Sequence, residues 1–232
     1  MLVATGRRDT TTSTVVVSPG GGCLLVDPAW EVDELEALAD DLDDLGLRPA
    51  AGLSTHAHFD HLLWHHRFGD VPRWASAETA RRAAAGQDAI LDELGPWRVD
   101  LQALVGRVRA VEPGADGSAA ILPWPGPRVE LLVHDGHIPG HTAAWLPEQR
   151  ILLAGDMLSD VEPPLPEDGP DPVAAYARGL DALEPLVRRA AWVVPGHGHP
   201  GQDAAARLAH DRRFVEALAA GRTPDDPCVT VG

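Results

Sequence analysis

The sequence predicts an α/β protein, and three observations carry that class. Short runs of branched apolar residues alternate with longer segments of helical period, Gly- and Pro-marked turns separate them, and polar residues gather just past the ends of the apolar runs, where α/β sheets place their ligand sites. With 232 residues, 44% hydrophobic and 23% charged, the chain is long enough to bury a full core, and one domain over residues 1–232 is expected.

Residues 15–18 and 23–26 read as the strands of a hairpin whose turn, Pro19-Gly20-Gly21-Gly22, supplies glycines for positive φ. Residues 31–45 carry Leu35, Leu38, Leu42 and Leu45 at helical spacing among acids, the pattern of a surface helix with one buried stripe. Residues 50–53 and 71–75 are short strands, the second leading into an Ala/Arg-rich helix that Ser76 is placed to cap. Residues 87–104 are helical with a break at Gly95-Pro96, and a strand follows at 108–111. This segment reads equally as an insertion that shapes a pocket or as a covering helix. Residues 128–134, 142–146 and 150–154 form three consecutive antiparallel strands; a Pro/acid-rich loop at 161–172, a helix at 173–189, a strand at 192–194 and a helix at 202–220 complete the chain.

The run Thr55-His56-Ala57-His58-Phe59-Asp60-His61 begins where the 50–53 strand ends. With eleven histidines in 232 residues, a chance match to this pattern is on the order of 10⁻³ for the whole chain, so a solvated His-rich loop is the weaker reading. Imidazole nitrogen and carboxylate oxygen are the ligands of zinc and its first-row neighbours. His56 and His58 stand at i and i+2, where an extended segment points both side chains to one side, so they can share one ion. If the chain turns into a helix at Asp60, Asp60 and His61 swing to a neighbouring direction, and two adjacent metal positions follow.

Three further candidates sit in Gly-flanked turns past predicted strands: His141 in Pro139-Gly140-His141-Thr142, Asp156 in Ala154-Gly155-Asp156, and His197 in Pro195-Gly196-His197-Gly198. The ordered set resembles the metallo-β-lactamase superfamily across nearly the whole chain. That resemblance implies the metallo-β-lactamase fold, a four-layer αβ/βα sandwich with a dinuclear metal site along one edge. By matching positions it implies that His56, His58 and His141 hold one ion, that Asp60, His61 and His197 hold the other, and that Asp156 bridges them. Asp27 is expected to support the site from behind. His137 is expected to orient a ligand, touch substrate, or serve a strand-end structural role. His199 competes with His197 for the last ligand position, and the Pro-Gly-His-Gly context favours His197; His65 and His66 read as structural.

The cofactors so implied are two divalent metal ions, zinc foremost, with iron and manganese as alternatives. The implied activity is hydrolysis of a small ester, thioester or lactone by a hydroxide bridging the metals, with Asp60 or a metal-bound water relaying the proton. Other readings stay open: a mononuclear iron enzyme like the persulfide dioxygenases, a phosphodiesterase or β-lactamase, and, last, a metal-binding protein without catalysis. Asp156 favours subgroups with a bridging carboxylate over true β-lactamases. Ser159 stands where acyl-homoserine lactonases place a Tyr, and the one tyrosine, Tyr176, falls in a later helix.

A formal net charge of -16 disfavours polyanionic partners, and all nineteen basic residues are Arg with no basic patch evident along the chain, so a small-molecule substrate rather than nucleic acid is expected. No apolar stretch approaches the roughly 18 residues of a membrane span, and residues 1–19 lack a signal-peptide core, so no membrane partner and cytoplasmic residence are expected. Cys23 and Cys228 are too isolated for a thiolate metal site or a disulfide framework. Trp64, Trp74, Trp145 and Trp192 read as core, whereas Trp30 and Trp124 lie beside loops as pocket candidates.

Overall fold

A computed structural model of the protein describes residues 1–28, 31–94, 99–114, 119–224 and 226. Trp30, the Gly95-Pro96 break and Cys228 lie outside the described residues. The first half runs β1 (Leu2–Thr5), β2 (Thr12–Val17), β3 (Gly22–Val26), α1 (Val32–Asp44), β4 (Arg48–Leu53), β5 (Arg73–Ala75), α2 (Ala77–Ala85), α3 (Gln87–Leu94), α4 (Val99–Gln102) and β6 (Arg109–Ala110). The second half runs β7 (Ala120–Ile121), β8 (Glu130–His134), β9 (His141–Leu146), β10 (Ile151–Gly155), α5 (Pro172–Val187), β11 (Trp192–Pro195) and α6 (Ala204–Ala219).

The strands form two sheets, one in the order β1-β2-β3-β4-β5-β6 and one in the order β11-β10-β9-β8-β7. Period-two alternation explains how they stack. Val15, Cys23 and Leu25 face outward to Leu35, Leu38 and Leu42 of α1, while Val16, Leu24 and Val26 face inward to the second sheet's Leu131, Ala144, Leu146 and Leu153. The other face of the second sheet, through Ala143, Trp145, Leu152 and Val193, packs on Leu180, Leu183 and Leu208 of the last two helices. Helices, sheet, sheet and helices therefore form the expected four layers, each interface a separate apolar core.

The hairpin between β2 and β3 closes as its glycines predict. Ser18 N donates to Gly22 O at 2.8 Å, and Gly21 takes φ 81°. The β8-β9-β10 meander also matches expectation, with Val133 opposite Thr142 and Leu152 opposite Trp145. Ser76 caps α2 by accepting from Thr79 N at 3.1 Å. β1 and β7 are too short and too weakly patterned for sequence reading to find.

Two expected core residues are exposed instead. Leu45 lies just past the end of α1 and is 58% exposed, because the helix stops before it can join the stripe, and Trp192, at the start of an edge strand, is 40% exposed. Trp124 donates its Nε1 proton to Pro127 O, at the end of the sandwich that holds the β2-β3 turn and opposite the metal-type residues. No described helix is long and apolar enough to cross a membrane.

Candidate metal centre

Five chain segments leave their strands at one edge of the sandwich. β3 and β4 run parallel and end beside one another, as do β10 and β11, and the β8-β9 turn joins them at the same edge. Asp27 follows β3, residues 55–61 follow β4, Asp156 follows β10, His197 follows β11, and His137 lies in the β8-β9 turn. The expected helix at Asp60 is a single 3₁₀ turn, Phe59–His61, enough to swing Asp60 and His61 away from His56 and His58.

Two groups of donor atoms result. His56, His58, His137 and Asp156 form one, and Asp60, His61 and His197 the other, with the donor atoms of each group within 4.8 Å of one another. In the first, His56 Nε2 is 3.0 Å from His58 Nδ1, which is 3.1 Å from His137 Nε2. In the second, Asp60 Oδ2 is 3.2 Å from His197 Nε2 and 3.4 Å from His61 Nε2. Asp156 reaches both: Oδ2 lies 3.3 Å from His56 Nε2 and 3.4 Å from His197 Nε2, and Oδ1 lies 3.2 Å from His61 Nε2.

Each ring that presents Nε2 to the centre has Nδ1 engaged on the outside. His137 Nδ1 donates to Leu165 O at 2.7 Å and His197 Nδ1 to Asp9 O at 2.8 Å; a carbonyl only accepts, so Nδ1 carries the proton and Nε2 offers its lone pair inward when the ring is neutral. Thr55 Oγ1 gives its proton to Asp27 Oδ2 at 2.7 Å and so accepts from His56 Nδ1 at 3.0 Å. His61 Nδ1 sits 3.1 Å from Asp27 Oδ2, close enough to pair by charge though off the hydrogen-bond direction. His58 is turned the other way, with Nδ1 inward and Nε2 3.2 Å from Glu167 at the open side.

This pattern fits metal ions better than a hydrogen-bonded cluster. In the first group lone-pair atoms converge without protons enough to join them, and buried Asp156 Oδ1 has no hydrogen-bond partner among the described residues. The glycines around the centre serve the same crowding. A side chain at Gly155, which has φ 56°, would collide with His141, and one at Gly196 would overlap Asp156 Oδ1.

Charge separates the groups. Burial, with the nearby His61 and His58 charges, holds His56 well below its ordinary pKa against the pull of Asp156, and burial likewise lowers His137. His61 is as deeply buried, but the Asp156, Asp60 and Asp27 carboxylates outweigh that and hold it well above the ordinary value. Burial likewise opposes the proton on His197, yet Asp156 and Asp60 raise its pKa to about 11. Despite their burial, Asp60 and Asp156 are held below the usual carboxylate range by the surrounding histidines.

The geometry departs from the sequence expectation at one pair of residues. His141 is not in either donor group: its Nε2 accepts from Asp156 N at 3.0 Å, its Nδ1 is 3.3 Å from His134 Nε2, and burial keeps the ring neutral. His137, expected behind the ligands or at substrate, takes the inward place instead. The reason is strand phase: His141 is the first residue of β9, whereas His137 stands free in the turn. Gly136 before His137 gave the same Gly-His signal as Gly140-His141, so the sequence held the clue without ranking it.

The other candidate residues lie around this centre. Asp27 lies behind it, accepting from Thr55 N at 2.9 Å as well as from the Thr55 hydroxyl. His199 turns outward onto Asp160 at 3.0 Å, His66 is exposed, and His65 is buried against His66 and Phe68. Tyr176 is buried and donates to Asp211, and Ser159 donates to His197 O. Contacts that the sequence does not announce hold the frame: Ser76, beyond its capping role, and Thr79 both donate to Gly140 O, and Leu158, at φ 59° two residues past Asp156, is clamped by Asp211 on its N–H and Arg207 on its carbonyl.

A family model described as the metallo-beta-lactamase superfamily matches residues 6–197. Among solved structures the chain is similar to a metallo-beta-lactamase family protein from Thermus thermophilus, with 25% identity, a TM-score of 0.68, and coverage of 94% of this chain and 81% of that one. It is similar in fold to the B3 metallo-beta-lactamase BLEG-1, with 18% identity, a TM-score of 0.65, and coverage of 90% and 97%. It is also similar in fold to TTHA1623, solved in a di-iron-bound form, with 24% identity, a TM-score of 0.62, and coverage of 90% and 98%. No curated protein sequence matches the chain.

Proposed function

The chain belongs to the metallo-beta-lactamase superfamily, and from that premise we propose that it is a hydrolase of a small ester, thioester or lactone, working with two divalent metal ions. The observation that carries this reading is the pair of inward-facing donor groups that meet at Asp156. His56, His58 and His137 would hold one ion, Asp60, His61 and His197 the other, and Asp156 both. A structural zinc site closes four ligands around one ion and has no use for two groups with an open side.

Bound there, two divalent cations supply Lewis acidity and lower the pKa of water toward neutrality. The protein's part is positional. Leu165 O, Asp9 O and the Asp27-Thr55 pair lock the imidazole orientations, and His58 with Glu167 lines the side where a substrate carbonyl enters. Asp60 stays anionic, suiting a metal ligand and, near the reacting centre, a proton acceptor.

Zinc is the leading metal because imidazole and carboxylate donors suit it; the di-iron form of a fold relative keeps iron as the second choice. The overall charge of -16 supports a small substrate over nucleic acid. The test pairs metal quantification with a panel of thioester, lactone, β-lactam and phosphodiester substrates. Two metals per chain and turnover of a carboxylic ester, thioester or lactone are expected. Turnover confined to phosphodiesters or β-lactams would overturn the substrate class. A single iron with oxygen consumption and sulfite release from glutathione persulfide would overturn hydrolysis itself.

A further inference from the structure

One sizeable cavity lies away from the metal centre. It has a volume of about 640 Å³ and lies in the outer helical layer, between the start of β5, the end of α2 and the segment leading into β6. Its lining holds three arginines, Arg73, Arg107 and Arg109, against one carboxylate, Asp70, together with His66. In a chain of net charge -16 with no basic cluster evident in sequence, the fold has gathered cations from two distant segments into one concavity.

Arg73 is the informative member. It is only 8% exposed, yet no carboxylate or carbonyl among the described residues accepts from its guanidinium; its neighbour is the Trp64 ring, 5.2 Å from Cζ. Arg207, also buried at 6% exposure, shows the usual arrangement, donating to Asp203, Asp160, Leu158 O and His199 O. None of the Arg73 nitrogens is both sealed from solvent and without a partner, so its donors open into the cavity that Arg73 lines, with Asp70 near enough to act on its charge. Burial and the adjacent Arg107 lower its pKa to about 10, so it remains charged at neutral pH. The half-buried Val71, Leu104 and Val108 give the same cavity apolar walls, and its size is that of ordinary small-molecule sites.

We propose that this cavity is a binding site for a small organic oxyanion, a carboxylate or phosphate monoester. Its charged head would pair with Arg73, Arg107 and Arg109, and its apolar body would lie against Val71, Leu104 and Val108. Arg suits this task because its planar fork matches both oxyanions bidentately. The site is separate from the metal centre and does not depend on the hydrolytic reading.

Calorimetric titration of the metal-loaded protein tests it with three probes: phenyl phosphate, benzoate and inorganic phosphate. Saturable binding of phenyl phosphate or benzoate is expected, weakened roughly tenfold or more in both Arg73→Met and Arg107→Ala and unchanged in His58→Ala. Inorganic phosphate should bind more weakly, lacking a body for the apolar wall. Arg73→Met should melt close to the parent, since no carboxylate or carbonyl among the described residues accepts from the guanidinium it removes; if it does not fold, the exposed Arg107→Ala and Arg109→Ala carry the test. No saturable binding of any probe would overturn the proposal. So would binding lost in His58→Ala but untouched by the arginine variants, which would assign the anion to the metal centre. Inorganic phosphate binding as tightly as phenyl phosphate would overturn the organic body.

Discussion

The two donor groups at the sandwich edge share Asp156 but sit in opposite electrostatic settings. In the first, burial keeps His56 and His137 neutral, so their Nε2 lone pairs stand ready, and His58 opens the group toward solvent. In the second, three carboxylates surround His61 and two face His197, and both rings hold their protons against burial. The same residue types thus give a ready site and a proton-blocked one. The difference lies in how many carboxylates face each imidazole, a count that only the assembled fold sets.

The largest effect should come from breaking what the groups share. Asp156→Ala removes the one carboxylate in reach of both, and hydrolysis of the best panel substrate is expected to fall on the order of 10³-fold, the several kcal/mol that metal-held charge contributes to a transition state. Elemental analysis of the variant should show both ions weakened; retention of two tightly bound ions would break the shared role.

Next comes the pair that separates the geometry from the sequence reading. His137→Ala should cost the first group its ion and about 10²-fold or more in activity. His141→Ala acts through the Asp156 N–H and the packing of its ring on His56, and should cost roughly tenfold, in the range of groups that orient ligands. Metal titration of the two variants side by side decides it, and the reverse order would return His141 to the metal.

Asp27→Asn should weaken metal binding by roughly 10- to 100-fold, because its carboxylate steadies His56 through Thr55 and faces His61 directly. Competition with a chromogenic chelator measures this, and an unchanged affinity would make Asp27 merely structural.

The smallest effect is one of pH, and it sharpens the contrast most. A histidine whose folded pKa is raised adds stability below its unfolded value of about 6.5 and loses it as pH climbs toward the folded value. Chelated protein should therefore lose thermal stability between pH 7 and its His197 value of about 11, while metal-loaded protein should not share that loss. Binding of the second ion should release protons and tighten as pH rises, whereas the first should be flatter. Equal proton release at both steps, read by calorimetry in buffers of different ionisation enthalpy, would dissolve the distinction.

Much of the frame was legible because its signals are local. Alternation in residues 23–26 places Cys23 and Leu25 on one face and Leu24 and Val26 on the other, and the structure puts those pairs in different cores. Leu45 misled because periodicity does not say where a helix ends, and Trp192 because an apolar strand residue looks the same at an edge as in the middle. The choice between His137 and His141 was illegible for a related reason. Both follow Gly, four residues apart, and only the start of β9 decides which ring turns in toward Asp156 Oδ2 and which goes behind Gly155.

The sequence by itself determined the α/β class and the donor chemistry, since strand and helix periods and the spacing from His56 to His61 are properties of a few consecutive residues. Tertiary structure alone decided how the donors divide, which rings keep protons, and that Arg73 meets Arg107 and Arg109 in one cavity. Those outcomes depend on burial and on charges from strands far apart in the chain, and electrostatics acts through space rather than along the sequence.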